Sequence, residues 1–374
     1  MAFETDAIIV GAGAVGLACA RAFAARGYET IVLEREAGIG QGVSSRNSEV
    51  IHGGLYYPTG SLKARFCNIG RGLMYSFLDL HRVNHAKCGK LVVATEPDEV
   101  PRLQLILQQA EANGVPGMKL ISGDEARELE PSLRAEAALL SPESGVMDSH
   151  AYMEALAGEL SARGGAIALN TPFAGAQARP EGGFVVRTGG DQATEVVCRY
   201  LVIAAGLGAQ AAAAMITDYP AAQIPELHYG KGVYFALTGK APFEHLVYPL
   251  PIPGALGTHY RRDLGGQGRF GPDLEFVEAE DYSVDPARAD AFYDTIRRFW
   301  PDLPDGALVP DYAGIRPKLH GPGEAMPDWR IDTQAVHGLP GLITLFGIES
   351  PGLTGSLAIG EAVAGELCQV SGRA

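Results

Sequence analysis

The sequence predicts a mixed fold, α/β plus α+β, with one domain wound on parallel strands and a second on a mainly antiparallel sheet. Three observations predict it. Residues 6–35 read strand, glycine turn, helix, strand, acid. From Asp218 the texture changes to frequent prolines, dense aromatics and short β-like runs at 232–237, 246–250 and 257–261, the pattern of an antiparallel sheet. The end of the chain then repeats the opening logic, with a buried strand at 342–346, a glycine-punctuated turn at 347–355 and a helix expected over 356–370.

In the first unit the run Ala7-Ile8-Ile9-Val10 leads into Gly11-Ala12-Gly13-Ala14-Val15-Gly16, a G-x-G-x-x-G turn in strand-to-helix context. Gly11 permits the tight turn, Gly13 leaves the backbone open to a pyrophosphate, and Gly16 lets the helix pack close to the strand. First-turn amides, Ala14 and Val15 among them, face the phosphates, and the helix dipole favours their charge. The second strand ends at Glu34, whose carboxylate suits a ribose diol and argues against a 2′-phosphate. The unit is Rossmann-like and binds a dinucleotide; the turn alone does not separate NAD from FAD.

Residues 37–47 are rich in glycine and serine. Ser44, Ser45 and Asn47 offer donors where the chain leaves the second strand, either to wrap a phosphate or flavin or as a solvated cap loop. His52 follows beside Gly53 and Gly54, which leave room for a planar ligand or make a turn around a structural histidine. Residues 61–80 predict a helix with Leu62, Phe66, Ile69, Leu73, Phe77 and Leu80 on its buried side. His81 and His85 are four apart but lack a third ligand, so they read as a solvated face and no metal is expected. A strand at 89–95 and a helix at 101–113 come next, the helix ended by Gly114-Val115-Pro116-Gly117. A short helix starts at Ser122, and another spans 150–163. Runs at 167–169, 184–187 and 195–198 read as β, the last two as a meander. A separate buried strand at 200–206 ends in Ala205 and Gly206, a second place for backbone to pack on the dinucleotide, and continues as a helix over 207–216. Residues 286–300 predict a further helix.

The C-terminal turn decides the cofactor. A flavin gains negative charge at its N1–C2=O edge on reduction, and a helix N-terminus there stabilises it. FAD is therefore expected, gripped at this end by Gly347, Gly352, Leu353 and Thr354; Arg35 and Phe173 complete the expected cofactor contacts with Gly53.

The 374 residues carry 47% apolar and 20% charged side chains and a net charge of −14, a composition for a large soluble core and against nucleic-acid binding. Cys19, Cys67, Cys88, Cys198 and Cys368 are scattered without a C-x-x-C, which suits a reducing cytoplasm. The N-terminus runs straight into the first strand, leaving no room for a cleaved signal. The most apolar run, 201–216, is broken by glycines and short for a membrane span.

The chain resembles the FAD-dependent L-2-hydroxyglutarate dehydrogenases/oxidases of the D-amino-acid-oxidase-like superfamily. The matching stretches include Ser48-Glu49-Val50-Ile51-His52-Gly53-Gly54-Leu55-Tyr56-Tyr57, Cys88-Gly89-Lys90-Leu91-Val92-Val93-Ala94, Tyr248-Pro249-Leu250-Pro251, Ala313-Gly314-Ile315-Arg316 and Ser350-Pro351-Gly352-Leu353-Thr354. The resemblance implies non-covalent FAD in a glutathione-reductase-type domain, a substrate domain, and oxidation of an L-2-hydroxy acid to the ketone, with electrons passed to oxygen, a quinone or another acceptor. Where the family tends to carry Arg-Gly-acid-Tyr, this chain has Lys231-Gly232-Val233-Tyr234, and a Lys lacks the forked contact to a carboxylate.

The FAD domain is expected to comprise residues 1–85, 145–217 and 325–374, and the substrate domain 86–144 and 218–324. Imidazole chemistry makes His52 the candidate base, or else a hydrogen-bond partner of the flavin. Arg316 is the candidate clamp for the substrate carboxylate, as a planar bidentate donor. Lys231, Tyr248, His259 and Arg262 are further candidates for the distal carboxylate or pocket wall. The alternatives are an amine or amino-acid oxidase forming an imine, an NAD dehydrogenase, and a non-catalytic nucleotide sensor. The expected location is cytoplasmic, with peripheral contact to the inner membrane through a quinone left open, although no amphipathic basic helix points to it.

Overall fold

The computed structural model describes residues 3–250 and 258–369. Pro251 of the matching stretch 248–251, Gly257 of the expected strand 257–261, and Val370 of the last helix lie outside them. In chain order the elements are β1 (Phe3–Val10), α1 (Ala14–Ala25), β2 (Thr30–Leu33), β3 (Val50–Ile51), α2 (Leu62–His81), β4 (His85–Ala86) and β5 (Lys90–Ala94). Next come α3 (Val100–Ala112), β6 (Lys119–Ser122), α4 (Gly123–Leu129), β7 (Ala137–Ser141), β8 (Gly145–Met147) and α5 (Ser149–Ala162). Then follow β9 (Ala166–Ala168), β10 (Phe173–Ala178), β11 (Phe184–Thr188), β12 (Glu195–Ile203) and α6 (Ala209–Ala214). The second half runs β13 (His228–Leu237), β14 (Leu246–Pro249), β15 (Tyr260–Arg262), β16 (Gly268–Phe270), β17 (Glu275–Val277), α7 (Ala289–Phe299) and β18 (Leu308–Lys318). The chain closes with β19 (Arg330–Asp332), α8 (Gln334–His337), β20 (Leu342–Phe346) and α9 (Gly352–Gln369).

The first sheet is parallel at its centre, in the order β9-β2-β1-β12-β20. Alternation along β1 sends Ala7 and Ile9 to the face covered by α1, α5 and α9, and Ile8 and Val10 to the face covered by α6 and the β10–β11 ribbon, as the period of two requires. The two runs expected at 195–198 and 200–206 are one strand, β12. Its first half pairs antiparallel with β11 and alternates buried and open residues; its second half lies between β1 and β20 and is buried throughout, so the pattern changes with the neighbours and not at a break.

The second sheet, in the order β17-β13-β16-β15-β14-β5-β7-β6 with β18 on β13, is antiparallel except where β14 meets β5. The fold is thus α/β plus α+β, a Rossmann-like domain beside a mainly antiparallel sheet. A small third sheet, β3-β8-β4, had no periodic signal.

Helix α2 starts where expected, with Ser61 Oγ accepting the Ala64 N–H at 3.1 Å. Its buried side is not the expected stripe. Phe66 and Phe77 are buried, but Ile69, Leu73 and Leu80 are exposed, Leu80 by 73%. The inward face carries Ala64, Cys67, Gly70, Met74 and Leu78. A Cβ on Gly70 would lie 2.4 Å from the Thr354 carbonyl oxygen in α9, so the helix turns its glycine to that neighbour. Helix α9 begins at Gly352, not Ser356, because the ladder runs through the glycines: the Gly355 N–H donates to Pro351 O at 2.9 Å. Among the described residues no helix is long and apolar enough to cross a membrane.

Candidate functional site

The turns after β1 and β20 open on the same carboxyl edge of the parallel sheet, where ligands of such sheets bind. Gly11 has a φ of +105°, and a Cβ there would lie 2.6 Å from Ala204 O, so the first turn docks on the end of β12 beside Ala205 and Gly206. Gly16 lacks the Cβ that would collide with Gly11 O at 1.9 Å. Ser44 Oγ accepts the Ala14 N–H at 3.0 Å. Glu34 accepts the N–H of Ala12 at 2.7 Å and of Glu36 at 3.0 Å, leaving acceptor capacity on a half-buried carboxylate. Asn47 shapes the loop, donating to Ser44 O at 2.7 Å and accepting the Glu49 N–H at 2.7 Å. Ser45 Oγ donates to Gly42 O at 3.2 Å. Arg35 is exposed and pairs with Glu36 at 2.9 Å. Phe173 opens β10, just after a segment tied to the end of β2 by the Thr171 N–H on Glu34 O, 2.7 Å.

Among the described residues, the N–H groups of Val15 and Gly16 in α1, and of Leu353 and Thr354 in α9, have no protein acceptor. Two helix N-termini with open donors, on one sheet edge, fit a diphosphate at one and the pyrimidine edge of a flavin at the other.

His52 lies at the second of them. Its N–H donates to Thr354 Oγ1 at 3.0 Å, and that hydroxyl donates to Val50 O at 3.3 Å. The Thr354 hydroxyl therefore ties the segment ending at His52 to α9, and its one O–H is given to the Val50 carbonyl. Its ring Nε2 lies 3.1 Å from Ser350 Oγ. Burial holds the imidazole well below its ordinary pKa, and the charges of Lys90 and His259 push the same way. Of the two readings of the flanking glycines, room for a planar ligand finds no support on the side where a Cβ would point. The space at Gly53 is filled by Leu55, Ser141 and Ser144, and that at Gly54 by Asn68.

Facing His52 is a wall from the second sheet. The rings of Tyr248 and His259 stack at 3.6 Å and 8°, and Lys90 Nζ lies 3.9 Å from the centre of the Tyr248 ring. Burial pushes Lys90 down to about 8, and among the described residues its ammonium has no hydrogen-bond acceptor.

On β18, Arg316 sits opposite Gly230, and Lys231 sits opposite Ile315. Alternation therefore puts Arg316 and Lys231 on opposite faces of the sheet. Arg316 is half-buried and donates from Nη1 to Asp273 O at 3.4 Å. Lys231 is buried and pairs with Asp281 at 2.5 Å, so it does not join Arg316. Arg262 pairs with Glu244 at the surface, while Arg261, not anticipated, is buried on Glu49 at 3.3 Å and Tyr312 at 3.0 Å. The missed signal was the period of two: if His259 faces the site, so does residue 261. His81 pairs with Glu159 at 2.6 Å and His85 with Asp79 at 3.5 Å.

The fold and this edge define an FAD-dependent oxidoreductase. The family model described as FAD dependent oxidoreductase matches residues 6–366. A mitochondrial L-2-hydroxyglutarate dehydrogenase from Arabidopsis thaliana is 41% identical, over 96% of this chain and 83% of that protein. The protein of the same name from Caenorhabditis elegans is 29% identical, over 96% and 92%. The fold is also that of an L-alpha-glycerophosphate oxidase from Mycoplasma pneumoniae, solved reduced by dithionite with FAD bound, at a TM-score of 0.86 with 22% identity over 98% of this chain and 95% of that one. The chain belongs to the L-2-hydroxyglutarate dehydrogenase family, and its cofactor is FAD.

Proposed function

We propose that this chain oxidises the 2-hydroxyl of an L-2-hydroxy acid, L-2-hydroxyglutarate or a close analogue, to the 2-keto acid. The names of the plant and nematode relatives support the substrate. The observation that carries the chemistry is His52, an imidazole kept neutral and pinned to the first turn of the helix whose N–H groups stand open. Bound FAD supplies the acceptor for the hydride leaving C2. His52 takes the hydroxyl proton on its unprotonated ring nitrogen, with Ser350 fixing the ring. Arg316 takes the carboxylate next to the hydroxyl, and Tyr248 and His259 wall the pocket and exclude water. Lys231, held by Asp281, has no part in this reading.

For the cofactor, the reading assigns the diphosphate to Gly11, Gly13, Ala14, Val15 and Gly16, and the ribose to Glu34. Ser44, Ser45, Asn47, Ala205 and Gly206 line its length, and Leu353 and Thr354 meet the pyrimidine edge through backbone N–H. Residues 1–85, 145–217 and 325–374 form the cofactor domain and 86–144 with 218–324 the substrate domain, a division supported by strand membership. The five unpaired cysteines support a cytoplasmic location, and the electrons go on to oxygen or a quinone.

The test is anaerobic mixing with L-2-hydroxyglutarate, L-lactate, glycine and sarcosine in turn, watching the flavin bands bleach. Bleaching with L-2-hydroxyglutarate is expected. Bleaching with the amines alone would replace the hydroxy-acid reading by imine formation, and bleaching with none would leave a non-catalytic sensor.

A further inference from the structure

Beneath the turn that starts α9 lie three buried charges. Glu349 accepts from Lys318 Nζ at 2.7 Å and from Lys63 Nζ at 3.3 Å, and all three side chains are between 4% and 7% exposed. Lys63 belongs to the first turn of α2 and Lys318 ends β18. The backbone carbonyl of Glu349 accepts the Gly352 N–H at 2.6 Å, so the cluster is built into the start of α9. Burial alone would raise the Glu349 carboxyl, but Lys318 and Lys63, with Arg316 beyond them, hold it below the usual carboxylate range, and it stays ionised.

Two ammonium groups against one carboxylate leave a positive excess. Adding Arg316 and Asp328 does not remove it; the Asp328 carboxylate caps α2 through the Leu62 and Lys63 N–H groups. Among the described residues no second carboxylate pairs with either lysine. A buried excess charge is costly unless an anion answers it. The open Leu353 and Thr354 N–H groups lie a few residues further along the same turn and favour the same sign of charge.

We infer that the Lys63–Glu349–Lys318 cluster stabilises the negative charge that arrives at the flavin's pyrimidine edge on reduction, and so sets how readily the bound flavin is reduced. This rests on the proposed seat of the flavin at α9, not on the identity of the substrate.

Sulfite is the probe. Its sulfur lone pair forms a bond to N5 of the oxidised flavin, the displaced electron pair settles in the ring as negative charge, and nothing leaves. Lys318→Met in the FAD-loaded enzyme removes one positive charge. It should weaken sulfite binding roughly tenfold, read as loss of the yellow colour, and lower the two-electron potential by about 30 mV. Glu349→Gln removes the negative charge and should move both readouts the other way, and Lys318→Arg should restore the wild-type values. Because Lys318→Met and Glu349→Gln break the same contact, damaged packing would move them alike. Shifts of the same sign in both, or none in either, overturn the inference. If Lys318→Met does not hold FAD, Lys63→Met takes its place in the comparison under the same two outcomes. No step of the test uses a hydroxy acid, so an enzyme that fails with L-2-hydroxyglutarate would lose the proposed substrate and leave this result standing.

Discussion

His52 combines a structural and a chemical task because its backbone and ring point to different partners. The backbone is held by Thr354, and the ring is left to Ser350 and the open side of the site. A base has to be neutral before it can take a proton. Burial first, then the charge interactions with Lys90 and His259, lower the His52 pKa, so the acid limb of flavin reduction should lie well below 6.5. The rate of anaerobic flavin reduction should therefore stay level as pH falls from 8 through 6.5; a limb centred at 6.5 or above would remove His52 as the base. His52→Ala should slow the same step by roughly 10²–10⁴-fold with a much smaller change in substrate affinity. Arg316→Lys keeps the charge but loses the fork and should raise KM by about tenfold or more, whereas an unchanged KM would assign Arg316 to the sheet alone. Lys90 gives a stability prediction. Its folded pKa of about 8 lies below the ordinary 10.5, so the unfolded chain holds the proton more tightly. Stability is lost as pH falls from 10.5 through 8, and the loss is complete below 8. Lys90→Met should raise Tm most at pH 7 and least near pH 10; an equal gain at both would mean that packing, not charge, is responsible.

At the scale of elements, α9 is the hub, since it packs on both α1 and α2 and supplies the Thr354 anchor. The contact at Gly70 has a diagnostic sign. Ala in place of Gly in a helix interior should stabilise by about 1 kcal/mol on propensity. Here the new methyl would meet Thr354 O at 2.4 Å and Gly355 Cα at 2.7 Å, both main-chain atoms, and overpacking of that kind costs about 1–3 kcal/mol. Gly70→Ala should thus lower the urea midpoint; a rise would show that α2 can slide without penalty. The same contact explains what the sequence could and could not disclose. The opening glycine turn, Glu34 and the closing strand–turn–helix were legible because each is local, its residue types and spacing sufficient by themselves. The face that α2 buries was not, because its periodicity allows more than one stripe and α9, almost three hundred residues away, chooses between them. Strands of two or three residues such as β3, β4 and β8 leave no period to read. The Lys63–Glu349–Lys318 cluster joins residues that no spacing rule connects.

At the scale of the molecule, the substrate sheet is set against the cofactor loop through one short segment, residues 46–49. Asn47 O accepts from Tyr312 OH at 2.6 Å, Ser48 Oγ lies 2.7 Å from Tyr234 OH, and Glu49 pairs with Arg261 at 3.3 Å. Tyr234 and Tyr312 stack at 4.3 Å, so β13, β15 and β18 hold the segment together. The closest approach is at Gly314 on β18, where a Cβ would lie 2.2 Å from Arg46 O. Gly314 is two residues from Arg316, on the same face of the strand, and Arg46 is two residues from Ser44, which receives the Ala14 N–H. A methyl at position 314 has to push back the Arg46 carbonyl, the β18 backbone, or both. Gly314→Ala should therefore weaken FAD binding and substrate binding together, each by about tenfold if the displacement costs about 1.4 kcal/mol. FAD release is read from the rise in flavin fluorescence, and substrate binding from KM at saturating FAD. A variant that loses substrate affinity and keeps its FAD would show that the sheet moves alone. One that loses FAD and keeps its KM would show that the loop does. Either result would mean that cofactor and substrate are not aligned through this contact.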